Sequence, residues 1–127
     1  MRLIVLVLVM IMVTGCKSVM GEAIHASNAT AAVADRVHAT IKADSAKEYS
    51  KCQLMVTKPL ALACVDHVED KFEPSWKAYR LLRTAWLDLH RMLRASLDGD
   101  GVLPASAAIL VGKLLQLAAE ADEKVRP

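Results

Sequence analysis

The sequence predicts an all-α protein, an antiparallel bundle of three to four amphipathic helices that follows an N-terminal signal peptide. Three observations favour this fold. Ala and Leu are abundant in the chain of 127 residues, whereas aromatic residues make up only 4% of it. Apolar residues recur at helical spacing in long stretches, and short segments with Pro or Gly separate these stretches. Because each apolar stripe must be covered, we expect the helices to pack on one another.

The first fifteen residues have the layout of a secretory signal peptide. Arg2 supplies one positive charge, residues 3–13 carry no polar side chain, and Thr14 and Gly15 are small. An apolar segment of 11 residues would span about 17 Å as a helix, roughly half of the hydrocarbon layer of a membrane. The segment is therefore predicted to be a signal peptide rather than an ordinary transmembrane helix.

The residues Val13-Thr14-Gly15-Cys16 resemble the lipobox of bacterial lipoproteins, in which an aliphatic residue and two small residues precede a cysteine. The resemblance implies a diacylglycerol on the sulfur of Cys16, cleavage just before it, and further acylation of the new N-terminus. Two or three acyl chains give lasting membrane anchorage. Lys17 stands where an Asp would, in enterobacterial lipoproteins, imply retention in the inner membrane, so the resemblance implies the outer membrane. The alternative is a plain signal peptide or signal anchor with an incidental cysteine.

The predicted division of the chain is a signal peptide over residues 1–15, a lipidated cysteine with a short tether over 16–21, and a helical bundle domain over 22–127. Of the 16 basic residues only Arg2 lies in the leader, so 15 remain against 14 acidic residues. This balance gives no reason to expect a nucleic-acid partner.

Four stretches of the mature chain have helical character. They are predicted to cover residues 22–56, 59–72, 75–97 and 104–125. Thr57 is a candidate N-cap, and Pro59 disfavours helical geometry at the residue before it. Pro74 marks either a kink in one long helix or a turn between two helices, so the middle of the bundle is expected to be one kinked helix or two.

Each long stretch has an apolar stripe that defines its predicted buried side. In the first stretch the stripe comprises Val33, Val37, Ile41, Tyr49, Cys52 and Val56. In the third it comprises Ala78, Leu82, Ala85, Leu89 and Met92, joined by Tyr79, Trp86 and Leu93. In the last it comprises Ala108, Val111, Leu115, Ala118 and Val125.

Cys52 and Cys64 form a candidate disulfide. They lie six residues either side of Lys58, so a hairpin that turns there brings them to the same level on adjacent helices. With the first of the three cysteines acylated, two remain, which fits one disulfide in an oxidising compartment. The alternative is a pair of ordinary core cysteines.

Two further motifs resemble metal sites without completing one. His67 and Asp70 follow Cys64 at helical spacing, but a zinc site needs further ligands and no second paired motif exists. The segment Asp98-Gly99-Asp100-Gly101 resembles the middle of a calcium loop, yet Ala107 stands where the last, bidentate Glu belongs. We expect a polar turn there, and neither a metal nor a cofactor is predicted.

Lys77, Arg80, Arg91 and Arg94 lie along one side of the third helical stretch. Such a row is usually a solvated face whose aliphatic stems cover the edge of the core, and this is the interpretation that we favour. The functional alternative is a binding surface for phospholipid headgroups, lipopolysaccharide phosphates or an acidic partner helix.

The expected function is that of a lipid-anchored cell-envelope protein with a structural or protein-interaction role in the periplasm. Its expected partners are the membrane, through Cys16, and another envelope protein. No phosphate-binding loop, Gly-x-Ser-x-Gly elbow or oriented Cys/His pair is present, so neither enzyme activity nor a small-molecule substrate is predicted. The alternative is a phage-encoded or defence-related lipoprotein that occludes a receptor or acts in lysis.

The chain also resembles, in plan, the Ala-rich major murein-linked lipoprotein. That family ends in a Lys whose amine is joined to peptidoglycan, whereas this sequence ends Val125-Arg126-Pro127. Covalent linkage by that route is therefore not expected.

Overall fold

A computed structural model describes residues 16–127, and three α-helices make up the fold of this part of the chain. Helix α1 spans Cys16–Cys52, α2 spans Lys58–Asp98 and α3 spans Ser106–Val125. No strand occurs among the described residues. The predicted all-α class is confirmed. The sequence predicted three or four helices, and the described residues form three.

Helix α1 begins at Cys16, six residues before its predicted start at Glu22. Residues 16–21, which we expected to form a short tether, therefore have a helical backbone. The buried part of the α1 stripe centres on Val37 and Ile41, as predicted. The sequence placed the helix start too late because Gly and polar residues follow the cysteine, and these have lower intrinsic helix propensity than alanine.

Helix α1 ends at Cys52 rather than near Val56. The amides of Leu54 and Met55 each donate a hydrogen bond of 3.2 Å to the carbonyl three residues before, which closes the last turn. The hydroxyl of Thr57 then accepts a hydrogen bond from the amide of Leu60 at 3.4 Å and caps α2, as predicted. Pro59 fits in the first turn of α2, where no intrahelical donor is needed. Val56 consequently lies in the loop, and its predicted place in the core stripe is wrong.

Helix α2 continues through Pro74, which the sequence left as a kink or a turn. A proline inside a helix lacks an amide donor and costs about 3 kcal/mol relative to alanine. Pro74 itself is exposed, while Phe72 and Trp76 on either side of it pack against the core. Burial of apolar side chains on both sides of the proline offsets its cost, so the middle of the bundle is a single helix.

The turn between α2 and α3 uses glycine as predicted. The amide of Gly99 donates to the carbonyl of Ala95 at 3.1 Å, and that of Gly101 donates to the carbonyl of Ser96 at 2.8 Å. Gly101 has a φ of 75°, a left-handed conformation that favours glycine. These bonds occupy carbonyls of the last turn of α2 that would otherwise lack partners.

Contacts between the helices establish the order of the bundle. Helices α1 and α2 are joined by the contacts Cys52–Cys64, His38–Tyr79 and Ser27–Trp86. Residue numbers rise along α2 as they fall along α1, so the two helices are antiparallel. Helix α3 returns along α2, because the hydroxyl of Ser75 donates to the carbonyl of Lys124 at 3.5 Å, while Met92 and Ile109 line one cavity near the start of α3.

The core lies where all three helices meet. Its buried members are Ala23, Val37, Ile41, Leu82, Ala85, Leu89, Leu93, Leu114, Ala118 and Ala121. The α2 stripe thus matches the prediction, with four of its members buried. The predicted α3 stripe is confirmed at Ala118, which is buried, and at Val111 and Val125, which pack against the core. It is wrong at two positions, because Ala107 and Leu114 are buried whereas Ala108 and Leu115 are exposed. In α3 the neighbouring positions are equally apolar, so hydrophobicity alone did not distinguish the two faces.

Candidate functional site

The two cysteines of the α1–α2 hairpin lie side by side. Cys52 is the last residue of α1 and is buried, and Cys64 is in the second turn of α2. Their Cα atoms are 5.5 Å apart and their sulfur atoms lie at disulfide distance, within the range that a disulfide requires. The predicted proximity of the pair is confirmed, although the loop lies at residues 53–57 rather than at Lys58.

Apolar side chains crowd the end of the hairpin beyond the cysteine pair. We call this surface the apolar tip, and it comprises Leu54, Met55, Val56, Leu60 and Leu62, all of which are exposed. This surface was not predicted from the sequence, because the first three residues were expected to belong to a helix that continues to residue 56. The signal was present, since three consecutive large apolar residues directly precede the Thr-Lys-Pro break, where polar turn residues are usual.

The predicted basic row is on the surface of α2. Lys77, Arg80, Arg91 and Arg94 are all exposed. Two of them are partly neutralised by carboxylates of the same helix: Arg80 lies 2.5 Å from Glu73, and Arg91 lies 3.6 Å from Asp88. Ion pairs this exposed contribute little to stability. The arrangement agrees with the solvated-face interpretation, because half of the row already has an intrahelical partner.

The aromatic residues of α2 lie between the helices rather than on an outer surface. Trp76 and Tyr79 both pack against the His38 ring of α1, with ring centroids 5.6 and 5.1 Å away. Trp86 stacks on His90 and donates its indole N–H to the carbonyl of Ser27 at 3.0 Å. These contacts fix α1 against α2, so the aromatic side chains contribute to packing and not to an anchoring surface beside the basic row.

A network of charges ties α1 to α3. Asp122, whose side chain is 16% exposed, accepts a hydrogen bond from Arg36 of α1 at 2.7 Å and from Arg126 at 2.7 Å. The hydrogen bond from Arg36, with that from Arg126, lowers the pKa of the Asp122 carboxyl below its usual value. These groups form a contact between helices, and the donors that surround the carboxylate keep it charged.

A second shared carboxylate lies on the hairpin. Glu48 of α1 is 3.0 Å from the amine of Lys51 and 3.8 Å from that of Lys71 on α2. The hydrogen bond from Lys51 lowers the pKa of the Glu48 carboxyl, and the charge of Lys71 acts in the same direction. Both perturbed carboxylates of the described chain are therefore explained by ion pairs between neighbouring helices or turns.

The two motifs that resembled metal sites have other structural roles. The sulfur of Cys64 is directed at Cys52 rather than at His67. Asp100, in the turn after α2, accepts a hydrogen bond from the amide of Val102 at 3.0 Å, as a turn-forming Asp does. Among residues 16–127, no three side chains of the metal-ligating types come together.

The proposed lipidation site begins the described part of the chain. Cys16 is the first residue of α1, whereas the predicted signal peptide, which includes Val13-Thr14-Gly15, lies outside the described residues. Within α1 to α3, none of the helices combines the length and the apolar composition that crossing a bilayer requires.

The chain was compared with known proteins at the level of families, sequences and structures. No family model, no curated protein and no solved structure matches it.

Proposed function

We propose that the protein is a lipid-anchored component of the bacterial cell envelope, held by acyl chains on Cys16 and exposed to the periplasm. Its three-helix domain has a structural or protein-interaction role and no catalytic one, and its partner is another envelope protein. The outer membrane is the proposed location, because Lys17 follows the acylated cysteine where Asp would imply retention in the inner membrane.

The observation that carries this proposal is the close approach of Cys52 and Cys64. Disulfides persist in oxidising compartments, so a pair at bonding distance fits a protein that is exported. The apolar leader and the lipobox-like residues before Cys16 independently indicate export with lipidation. These two features belong to separate parts of the chain, and both agree with an extracytoplasmic, membrane-attached domain.

The position of Cys16 also suits an anchor. It begins α1, and the cysteine pair lies at the other end of this helix of 37 residues, which corresponds to about 55 Å. A lipid at Cys16 would thus be attached to one end of a rigid rod. The exposed surfaces of α2 and of the hairpin would remain available to other molecules of the envelope.

Metabolic labelling with an alkyne analogue of palmitate tests the anchor. We expect the full chain, expressed in bacteria, to take up the label and to sediment with the membranes. Cys16→Ser should lose the label and accumulate as an uncleaved form. The matched control is Cys52→Ser/Cys64→Ser, which alters the other two cysteines and should keep the label. Label retained on the Cys16→Ser variant would overturn the proposed anchor.

Capture of partners from detergent-solubilised envelopes tests the interaction role. The lipidated protein should retain one or more envelope proteins that the free affinity matrix does not. The capture is repeated with Lys77→Glu/Arg94→Glu, which reverses two exposed charges of α2. A loss of the captured envelope proteins would show that the basic row contributes to their binding. Capture of soluble cytoplasmic proteins alone would argue against a periplasmic interaction role.

A further inference from the structure

The apolar tip exposes more aliphatic surface than the folding of the bundle explains. Leu54 is 83% exposed and Val56 is 94% exposed, so these side chains have almost no contact with the rest of the described chain. Leu60 and Leu62 lie in the first turns of α2 and are each 55% exposed. Several large exposed aliphatic side chains at one end of a small domain indicate a contact with another apolar phase or molecule.

The segment that carries the tip contains basic residues and no acidic ones. Residues 49–65 include no Asp or Glu, whereas Lys51 and Lys58 lie on either side of the loop. Lys51 is paired with Glu48 at 3.0 Å, and Lys58 is exposed at the start of α2. Aliphatic side chains flanked by lysines, with no carboxylate among them, complement a surface that is apolar inside and anionic outside.

The shape of the tip is that of a projection. Its loop follows the last turn of α1 and precedes the first turn of α2, and its side chains point into open space, as their exposure shows. A protein partner would need a pocket that matches this projection, whereas the interface of a bilayer deforms to admit it. Charge and shape together therefore favour a lipid surface.

We propose that the apolar tip docks on the surface of a lipid bilayer, with Leu54, Val56 and Leu60 entering the interface and Lys58 next to headgroup phosphates. This contact is separate from the acyl anchor and does not require a lipid on Cys16, so either can fail without the other. Where both are present, the two membrane contacts lie at opposite ends of α1 and hold the rod along the membrane.

Binding to vesicles tests the tip. All members of the described core lie between Ala23 and Ala121, so the chain 17–127 contains every core residue that the structure describes and omits the apolar leader. Circular dichroism checks its helices. We expect it to bind vesicles of phosphatidylethanolamine and phosphatidylglycerol. Leu54→Gln/Val56→Gln should weaken binding at least about tenfold, because two aliphatic side chains no longer leave water.

The matched control removes the same kind of side chain from α3. Ile109 and Leu115 are 77% and 51% exposed, so Ile109→Gln/Leu115→Gln removes one β-branched residue and one leucine from another surface. It should leave vesicle binding unchanged. Equal losses in both double variants would overturn the proposal, because binding would then depend on general hydrophobicity and not on the tip.

Lys58 is tested by the lipid charge. Lys58→Gln should weaken binding to the anionic vesicles about fivefold, because it removes one positive charge that is attracted to the anionic surface. Binding to phosphatidylcholine vesicles should be unchanged, since their surface has no net charge. Lys113→Gln on α3 is the control and should bind as the parent does.

Fluorescence gives the depth of the tip. Met55→Trp should add an emission that shifts to the blue on vesicles and is quenched by brominated lipids, whereas the parent chain, with Trp76 and Trp86 packed between helices, should change little. The absence of vesicle binding by the parent overturns the proposal. So does a lipid-free dimer that Leu54→Gln/Val56→Gln dissociates, because the tip would then be covered by a second copy.

Discussion

The indole nitrogen of Trp86 donates a hydrogen bond of 3.0 Å to the carbonyl oxygen of Ser27, 59 residues earlier in the chain. The bond joins the second half of α2 to the first half of α1. Ser27 is buried and Trp86 is half-buried, so little water competes for the two groups. A directional contact of this kind sets the register of two helices whose facing side chains are mostly small or aliphatic.

Trp86→Phe should lower the free energy of unfolding by about 1 kcal/mol for the hydrogen bond, with a further loss from reduced packing. Trp76→Phe is the matched control, since Trp76 packs on His38 and Tyr79 through its ring. Urea unfolding followed by circular dichroism measures both. Equal losses in the two variants would mean that the hydrogen bond contributes nothing beyond ring packing.

Leu114→Ala should destabilise the bundle by about 2–5 kcal/mol, because the side chain is fully buried and leaves a cavity. Leu115→Ala, at the next position, removes an exposed side chain and should change stability by less than about 1 kcal/mol. The comparison tests the register of α3 directly. A larger loss of stability for Leu115→Ala than for Leu114→Ala would mean that Leu115 is the buried residue, as the sequence alone predicted.

The cysteine pair closes a loop with a sequence separation of 12, and the chain-entropy estimate for such a loop is about 3 kcal/mol. In exported protein, non-reducing mass spectrometry should show one pair of peptides joined by a disulfide between Cys52 and Cys64. A reductant should lower the free energy of unfolding but leave the helix content unchanged. Cys52→Ala/Cys64→Ala is the control, and its stability should not respond to reductant. Free thiols at both positions in exported protein would contradict the pairing.

Reversal of Arg80 and Arg91 to Glu should change stability by at most about 1 kcal/mol, because both side chains are exposed and their ion pairs are on the surface. The same variant should bind anionic vesicles as the parent does, since the tip lies at the start of α2 and both arginines lie farther along the helix. Lys77→Glu/Arg94→Glu reverses the rest of the row and serves as the companion variant. A loss of binding at low salt with unchanged circular dichroism would identify the row as the working surface.

Stability at low pH should depend on Asp122. The hydrogen bonds from Arg36 and Arg126 lower the pKa of this carboxyl from its ordinary value of 3.8. Because the pKa is lower in the folded than in the unfolded chain, the contribution of the carboxylate is complete above about pH 3.8 and is lost as the pH falls through the folded value.

Asp122→Asn should therefore lower the free energy of unfolding at neutral pH. The difference in this free energy between the variant and the parent should shrink as the pH falls below 3.8. Urea unfolding across a pH series measures this difference. Glu123→Gln removes an exposed carboxylate from the next position and should keep the pH dependence of the parent. A difference between Asp122→Asn and the parent that is constant with pH would exclude the ion pairs as its cause.

The sequence by itself determined the helical class, the α2 stripe and the approach of the two cysteines. Leu82, Ala85 and Leu89 recur at intervals of three and four residues and are buried, so they lie on one apolar face of α2. Thr57 and Pro59 have local roles in starting a helix, which depend on few neighbours. Features that arise from short-range geometry or from strong amphipathic contrast were therefore predictable.

Tertiary structure alone decided the register of α3, the passage of α2 through Pro74 and the exposure of the tip. Leu114 and Leu115 are chemically equal in the sequence, and only the surfaces of α1 and α2 determine which of them is buried. Pro74 is tolerated because contacts on both sides of it offset a local cost. Val56 leaves the core because the chain must turn before the cap of α2. For the register of α3 and for Pro74, contacts distant in sequence outweigh a local preference, because burial at the shared core is the larger free-energy term.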